Sequence, residues 1–301
     1  MIATRGRGVA NLHAPARRCT PLLARVYSRR RVQPIVALVS INGTNHLGVN
    51  LAFTKFIFVR PAADDDAALT RLRAAGGVVA RGFFNDFEAE GGRDSPPHET
   101  IQFLVSDGPR EREGLAGARY ALQVSSKYRP RLQDTEAELR RRLSDNAEIV
   151  ALDGAVRVPQ YTSAEMYAYA YKNAVSRRSG RVQRNVVIIP IRKTEEWWAK
   201  SALDRHAYFY PHTDGDTGAR VKGHARAAEP GIATIHRRLY YNPEGPGRPG
   251  EFDFITYFEC ADEHLGTFDG ICRALRDREQ NPEWRYVIEG PEWRGRRVLK
   301  W

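Results

Sequence analysis

Apolar and polar positions alternate with a period of two in several short stretches and with a helical period in others, and these changes divide the chain into elements. "FTKFIFVR", "ETIQFLVS" and "ARYALQVSS" read as strands, as does "PIVALVSI" ahead of them. "DDDAALTRLRAAG", with acidic residues in its first turn, and the charged "DTEAELRRRLSD" read as helices. "RDSPPHE" and "SDGPREREG" are loops by their Pro, Gly and charge content, and "DGAVRVPQYTSAEMYAYAYKNAVSRRSGRVQ" reads as a linker. Beyond it, "NVVIIPIRK" is a buried strand, and "TEEWWAKSALDRHAYF" a helix with Thr194 as its N-cap. In "ATIHRRLYY" one strand face carries Ile235, Arg237, Leu239 and Tyr241, and the other Thr234, His236, Arg238 and Tyr240. A Pro/Gly turn, "NPEGPGRPGE", leads into "FDFITYFEC", with Phe252, Phe254, Thr256 and Phe258 on one face and Asp253, Ile255, Tyr257 and Glu259 on the other. "ADEHLGTFDGICRALRD" is an amphipathic helix, and "EWRYVIEG" closes as a strand.

The second half thus predicts a ferredoxin-like βαββαβ unit, and the first half a looser copy, so the fold class is α+β with antiparallel sheets. The expected organisation is a basic N-terminal extension (1–34), a degenerate ferredoxin-like half (35–180) and a second such half (181–301).

Composition changes the picture mainly at the N-terminus. The formal charge is +11, but Met1 to Ala63 holds ten Arg or Lys and no Asp or Glu, which leaves +1 for the remainder. Basicity therefore belongs to the arm rather than to a folded surface, which argues against nucleic acid as a partner. The arm is acid-free and Arg-rich like a transit peptide but poor in Ser, and its "SRRRVQPIVALVS" junction faintly resembles a twin-arginine signal. The expected compartment is the cytoplasm, or the periplasm or an organelle if the arm is a targeting segment. No apolar run has the length of a membrane span. The three cysteines, Cys19, Cys260 and Cys272, form no C-x-x-C pair, and no phosphate loop or H-E-x-x-H motif occurs.

Four features carry candidate chemistry. Arg237 lies on an otherwise apolar strand face, where a guanidinium is costly without a partner; an ion pair or an anion-receiving cavity would each explain it. Glu259 is a carboxylate near the start of a helix, suited to a salt bridge or to accepting from a histidine N–H. His224 sits among Ala225, Ala227 and Ala228, small neighbours that suit a flat cofactor, while His212 precedes the turn "TDGDTG". Lys193 ends an apolar strand with Trp197 and Trp198 just beyond; these are core tryptophans with a snorkelling lysine, or an aromatic wall for a planar macrocycle.

Taken together, "IPIRKTEEWW", "HARAAEPGIATIHRRLYY" and "FDFITYFEC" resemble segments of the chlorite dismutase family, over roughly residues 183 to 293. The resemblance implies a dimeric α+β barrel, haem b as cofactor, and conversion of chlorite to chloride and dioxygen through oxyferryl haem and hypochlorite. It implies His224 as iron ligand with Glu259 behind it, Arg237 as the distal arginine, and Lys193, Trp197 and Trp198 lining the haem. Tyr161 would stand near a propionate. "YPHTDGDTG" looks like an insertion and makes His212 a rival ligand, because an ungapped count forward from Lys193 lands there. A homo-oligomer, often a pentamer in this family, is the expected assembly, with a small anion as substrate and neither nucleic acid nor membrane as partner. Relatives of the same fold that decarboxylate coproheme, a haem peroxidase and a non-catalytic haem binder are the alternatives.

Overall fold

Two βαββαβ units follow one another in the computed structural model, which describes residues 50–87, 99–106, 114–157 and 183–301. The basic arm, the "PIVALVSI" stretch and Tyr161 lie outside the described residues. The first unit runs β1 (Asn50–Pro61), α1 (Asp66–Val79), the short β2 (Phe84–Asn85), β3 (Thr100–Val105), β4 (Tyr120–Ser126), α2 (Arg129–Leu143) and β5 (Ala147–Arg157). The second begins with β6 (Asn185–Lys193), the short helices α3 (Glu195–Ala199) and α4 (Ala202–Ala207), and a small hairpin of β7 (His212–Thr213) and β8 (Arg220–Val221). It continues with α5 (Gly223–Ala228), β9 (His236–Tyr241), β10 (Phe254–Cys260), α6 (Leu265–Arg276), β11 (Val287–Glu289) and β12 (Trp293–Val298).

The four long strands of each unit pair antiparallel in the same order, β5-β1-β4-β3 in the first and β12-β6-β10-β9 in the second. The free edges of the two sheets then meet. β12 pairs with β3 from Arg296↔Val105 to Val298↔Phe103, and β5 meets β9 at Ala155↔Tyr241. Eight strands thereby close into a barrel, which removes the exposed sheet edges that a lone four-stranded unit would present.

Period-two alternation sorts the side chains into a barrel interior and two outer layers. Phe56, Phe58, Leu104, Ala121, Val186, Ile188, Tyr240, Ile255, Tyr257 and Trp293 form the interior cluster, and Val150, Leu152 and Val156 of β5 pack against it. Outside the first sheet, Ile57, Val59, Ile101, Phe103, Leu122 and Val124 pack under α1 and α2. Outside the second, Val187, Ile189 and Ile191 of β6 pack with Ala227 of α5 and with Phe268, Ile271 and Leu275 of α6. Each large apolar side chain so buried contributes about 1.5–3 kcal/mol.

Three elements differ from expectation. The stretch "TEEWWAKSALDRHAYF", expected as one helix, is two short ones, α3 and α4, separated by extended residues at Lys200 and Ser201. The "DGAVR" segment is the end of β5, not the start of a linker. Its Asp-Gly pair serves packing instead: Asp153 meets Lys55 at 2.8 Å, and a Cβ on Gly154 would lie 2.7 Å from Cβ of Tyr240. The closing strand is β12, one step beyond "EWRYVIEG". Pro282 opens a 3-10 turn, Pro282–Tyr286, so only Val287–Glu289 of that stretch is extended.

Candidate functional site

The outer face of the second sheet carries Arg237 and Lys193, two of the residues that the sequence singles out. In β9, Arg237 pairs with Phe258 of β10, which pairs with Val187 of β6; Leu239 pairs with Thr256, and Thr256 with Ile189. Directly paired residues share a face. Arg237 therefore shares its face with Phe258 and Val187, both part of the layer beneath α5 and α6. Leu239, on the same face, is exposed. Lys193 ends β6 on this face, four residues from Ile189.

His224 is delivered by α5, and its backbone is held at several points. Gly223 adopts φ +72, and a Cβ there would lie 2.4 Å from the Tyr210 carbonyl oxygen, so a glycine is needed to let the two segments touch. The N–H groups of Lys222 and Gly223 donate to the Gln280 carbonyl, that of His224 to Tyr208 (3.1 Å) and that of Ala225 to Phe209 (2.9 Å). These contacts satisfy the donors that a short helix leaves open at its start. The Phe209 ring stacks on the imidazole at 5.7 Å and 19°.

The partner of this imidazole is Glu283. His224 Nδ1 lies 3.0 Å from Glu283 Oε2, and Lys193 Nζ donates to Glu283 Oε1 at 2.6 Å. The Lys193 ammonium also sits 4.1 Å from the centre of the Trp197 ring. Burial pushes the Glu283 carboxyl up, but Lys193 and His224 more than offset that and hold it well below the usual carboxylate range. Glu283 is thus an anion shared between a buried ammonium and an imidazole Nδ1–H.

Glu259 does not stand behind His224, which corrects the expectation. It shares the interior face with Ile255 and Tyr257, so the strand pleat points it away from α5 and into the barrel. There it is fully buried, accepts from the Tyr257 hydroxyl and lies 3.9 Å from Arg297 Nη1. The Tyr257 hydroxyl also meets the Gln102 amide at 2.7 Å, and Gln123 donates to Tyr240 at 2.6 Å, so the interior polar groups tie the two sheets together.

The tryptophan pair divides its contacts. Thr194 caps α3 as expected, accepting from the Trp197 N–H. Trp197 is buried against Tyr208 (5.6 Å) and Tyr286 (5.8 Å). The Tyr208 hydroxyl lies 3.4 Å from that of Tyr286, and burial and this neighbour push its pKa up to about 12. Trp198 packs on Phe254 at 6.0 Å and donates Nε1–H to Asp253 Oδ2 at 3.3 Å. His212 lies on β7 with Nδ1 2.8 Å from the Tyr210 carbonyl, and its ring stands 5.4 Å from that of Tyr208. The β7–β8 hairpin also reaches the Glu283 turn, through Arg285 to Asp214 at 2.8 Å.

Sequence reasoning missed Glu283 and Asp253. The signal for the first is "NPEW", where Asn-Pro marks a turn and not a strand. Asp253 falls on the same side of the alternation as Ile255, Tyr257 and Glu259, but nothing in the pattern indicates the donors it gathers.

Several chlorite dismutase structures share this architecture. One is a doubly substituted form of the enzyme from Candidatus Nitrospira defluvii, with TM-score 0.58 and 20% identity, covering 83% of this chain and 92% of that one. The same enzyme in complex with imidazole matches with TM-score 0.58 and 21% identity, covering 84% of this chain and 93% of that one. A singly substituted form in complex with cyanide gives TM-score 0.58 and 20% identity, covering 84% and 92%. No family model matches the chain. The chain has the α+β barrel fold of the chlorite dismutase structures, with its paired ferredoxin-like units and antiparallel sheets.

Proposed function

We propose that the chain is a haem b oxidoreductase that acts on chlorite, releasing chloride and dioxygen. The observation that carries this reading is the Lys193–Glu283–His224 chain, in which a buried carboxylate holds one imidazole nitrogen; the other would then serve a metal. A histidine ligand whose second nitrogen donates to a carboxylate is oriented and made a stronger electron donor, so the donor set fits an iron porphyrin. The surroundings fit as well. Leu239 and Phe254 offer an apolar sheet face, Trp198 stands at its edge, and Ala227 and Ala228 keep α5 close to that face.

When bound, haem iron would supply the two-electron redox chemistry of oxygen-atom removal. The chain's own residues would do the rest. His224 would hold the iron through Nε2, and Glu283 would keep the proton of that imidazole on Nδ1. Lys193 would in turn hold Glu283 anionic. Arg237, as a fixed cation, would draw a small oxyanion in and retain it until both products leave. Trp197 and Trp198 would restrict the ring plane.

An oxygen-electrode assay on haem-loaded protein tests the reading. Dioxygen released in equal amount to chloride supports it. A loaded protein with a Soret band that releases no dioxygen from chlorite would refute the substrate assignment.

A further inference from the structure

We propose that Asp253 is a positioning residue that sets the orientation of Trp198 and fastens the β9–β10 turn against the site; its role at the site rests on the haem reading. Asp253 is buried, at 2% exposure, and directly precedes β10. Its backbone is already in place, with its N–H donating to the Ile191 carbonyl at 2.9 Å and its carbonyl accepting from Asn242 at 2.9 Å. The side chain gathers three further donors. Oδ2 accepts from the Lys193 backbone N–H at 2.6 Å and from Trp198 Nε1 at 3.3 Å, and Oδ1 accepts from the Gly247 N–H.

These three donors come from three places that need to be held together. Lys193 ends the strand that presents the ammonium to Glu283. Trp198 is the outer member of the tryptophan pair. Gly247 lies in the turn, at φ +75, close enough to the indole that a Cβ on it would stand 3.4 Å from Trp198 Cδ1. Arg205 stacks its guanidinium over the indole at 5.4 Å. An acceptor-only side chain suits this position, because an amide would turn its own donors toward one of the three N–H groups. With its N–H consumed by Asp253, Trp198 presents ring carbons and not a hydrogen-bond donor to its surroundings. That is the surface a flat apolar macrocycle requires. Asp253 also makes the turn part of the wall, since the carboxylate that anchors Trp198 anchors Gly247 too.

The test uses the full-length protein with isotope-labelled indole nitrogens. Trp198 is identified as the indole N–H resonance that disappears in Trp198→Phe. In Asp253→Asn, measured without haem, this resonance is expected to move and its hydrogen exchange to quicken about tenfold, as befits a buried donor that loses its acceptor. Haem uptake by Asp253→Asn is expected to weaken about tenfold. The same substitution made in the Trp198→Phe background should weaken it by clearly less. An unchanged Trp198 resonance and exchange rate, or equal losses in the two backgrounds, would overturn the proposal, because a role confined to stability would lower the unfolding temperature without moving the indole. Should Asp253→Asn fail to fold, the natural chain decides. Trp198 indole exchange at least tenfold slower than in the urea-unfolded chain supports the anchor, and equal rates overturn it. A shifted indole in a protein that takes up no haem would refute the haem reading while leaving the anchoring intact.

Discussion

Replacing Glu283 with Gln keeps the shape of the side chain and removes its charge, which isolates what the anion does for Lys193. The Lys193 side chain is only 7% exposed, and its ammonium lies 2.6 Å from Glu283. At an effective dielectric constant of about 20, that separation corresponds to a gross attraction of about 6 kcal/mol, most of which offsets the desolvation of the two ions. Removing one partner of a buried pair typically costs about 3–5 kcal/mol, since the remaining charge stays buried. Trp197 stays over the ammonium in both proteins, so that contact does not enter the difference, and the Gln carbonyl still accepts from the ammonium, which puts the loss at the low end of this range. The expected loss is therefore about 3 kcal/mol, or about 6 °C in unfolding temperature for a domain of this size. Urea unfolding of the haem-free protein reads it directly. Lys193→Met together with Glu283→Gln should recover most of the loss, because replacing both ions leaves no unpaired charge. The effect also has a pH signature. Glu283 is depressed in the folded protein, so its contribution is complete above the unfolded value of about 4.3 and is lost as pH falls below it. The gap between the natural chain and Glu283→Gln should thus be full at neutral pH and shrink in acid. A loss under about 1 kcal/mol, or a double variant no more stable than the single one, would refute the reasoning.

Other outcomes follow from the same geometry. Gly223→Ala should lose about 2 kcal/mol in urea unfolding and bind haem less tightly, since a Cβ would meet the Tyr210 carbonyl at a left-handed backbone position. Lys55, which bridges Glu136 (2.6 Å) and Asp153 (2.8 Å), loses affinity for its proton through burial but gains more from these two carboxylates. Its folded pKa is raised, so its contribution is intact below the unfolded value of about 10.4 and is lost as pH rises beyond it. The natural chain should therefore lose stability in strong alkali more steeply than Lys55→Met. Burial pushes the Cys260 and Cys272 thiols up to about 11, so in a Cys19→Ser background a thiol reagent at pH 8 should label neither until the chain unfolds. Arg237→Ala should keep the pigment, lose oxygen yield and bleach faster during turnover with chlorite. Unchanged oxygen yield would remove the arginine from the mechanism.

The strands and their faces were legible because alternation is a local signal. The β9 and β10 patterns sort Arg237, Leu239 and Phe258 to one face and Tyr240, Tyr257 and Glu259 to the other, as the pairing register shows. Element order likewise gave the two βαββαβ units. Two kinds of feature were not legible. The first is where a polar strand face points. The side of the pleat that bears Glu259 could have faced solvent, a helix or a partner sheet, and only closure of the barrel through β3–β12 and β5–β9 makes it an interior. The second is contact across long separations. Glu283 reaches His224 from 59 residues away and Lys193 from 90, through a 3-10 turn that carries no apolar period of its own. His224 and Lys193 could be singled out from their neighbours, whereas the carboxylate joining them could not. Asp153 and Gly154 show the same limit, since a pair that reads as a turn serves as an ion-pair partner and a gap for Tyr240 within β5.

The most direct measurement is a haem titration of three haem-free proteins in parallel: the natural chain, His224→Ala and His212→Ala. If His224 holds the iron, the natural chain and His212→Ala will take up haem with matching affinity and axial-ligand spectra, and His224→Ala will lose the histidine-ligated spectrum. A His224→Ala protein that binds haem with the spectrum of the natural chain, or a His212→Ala protein that loses it, would contradict the account.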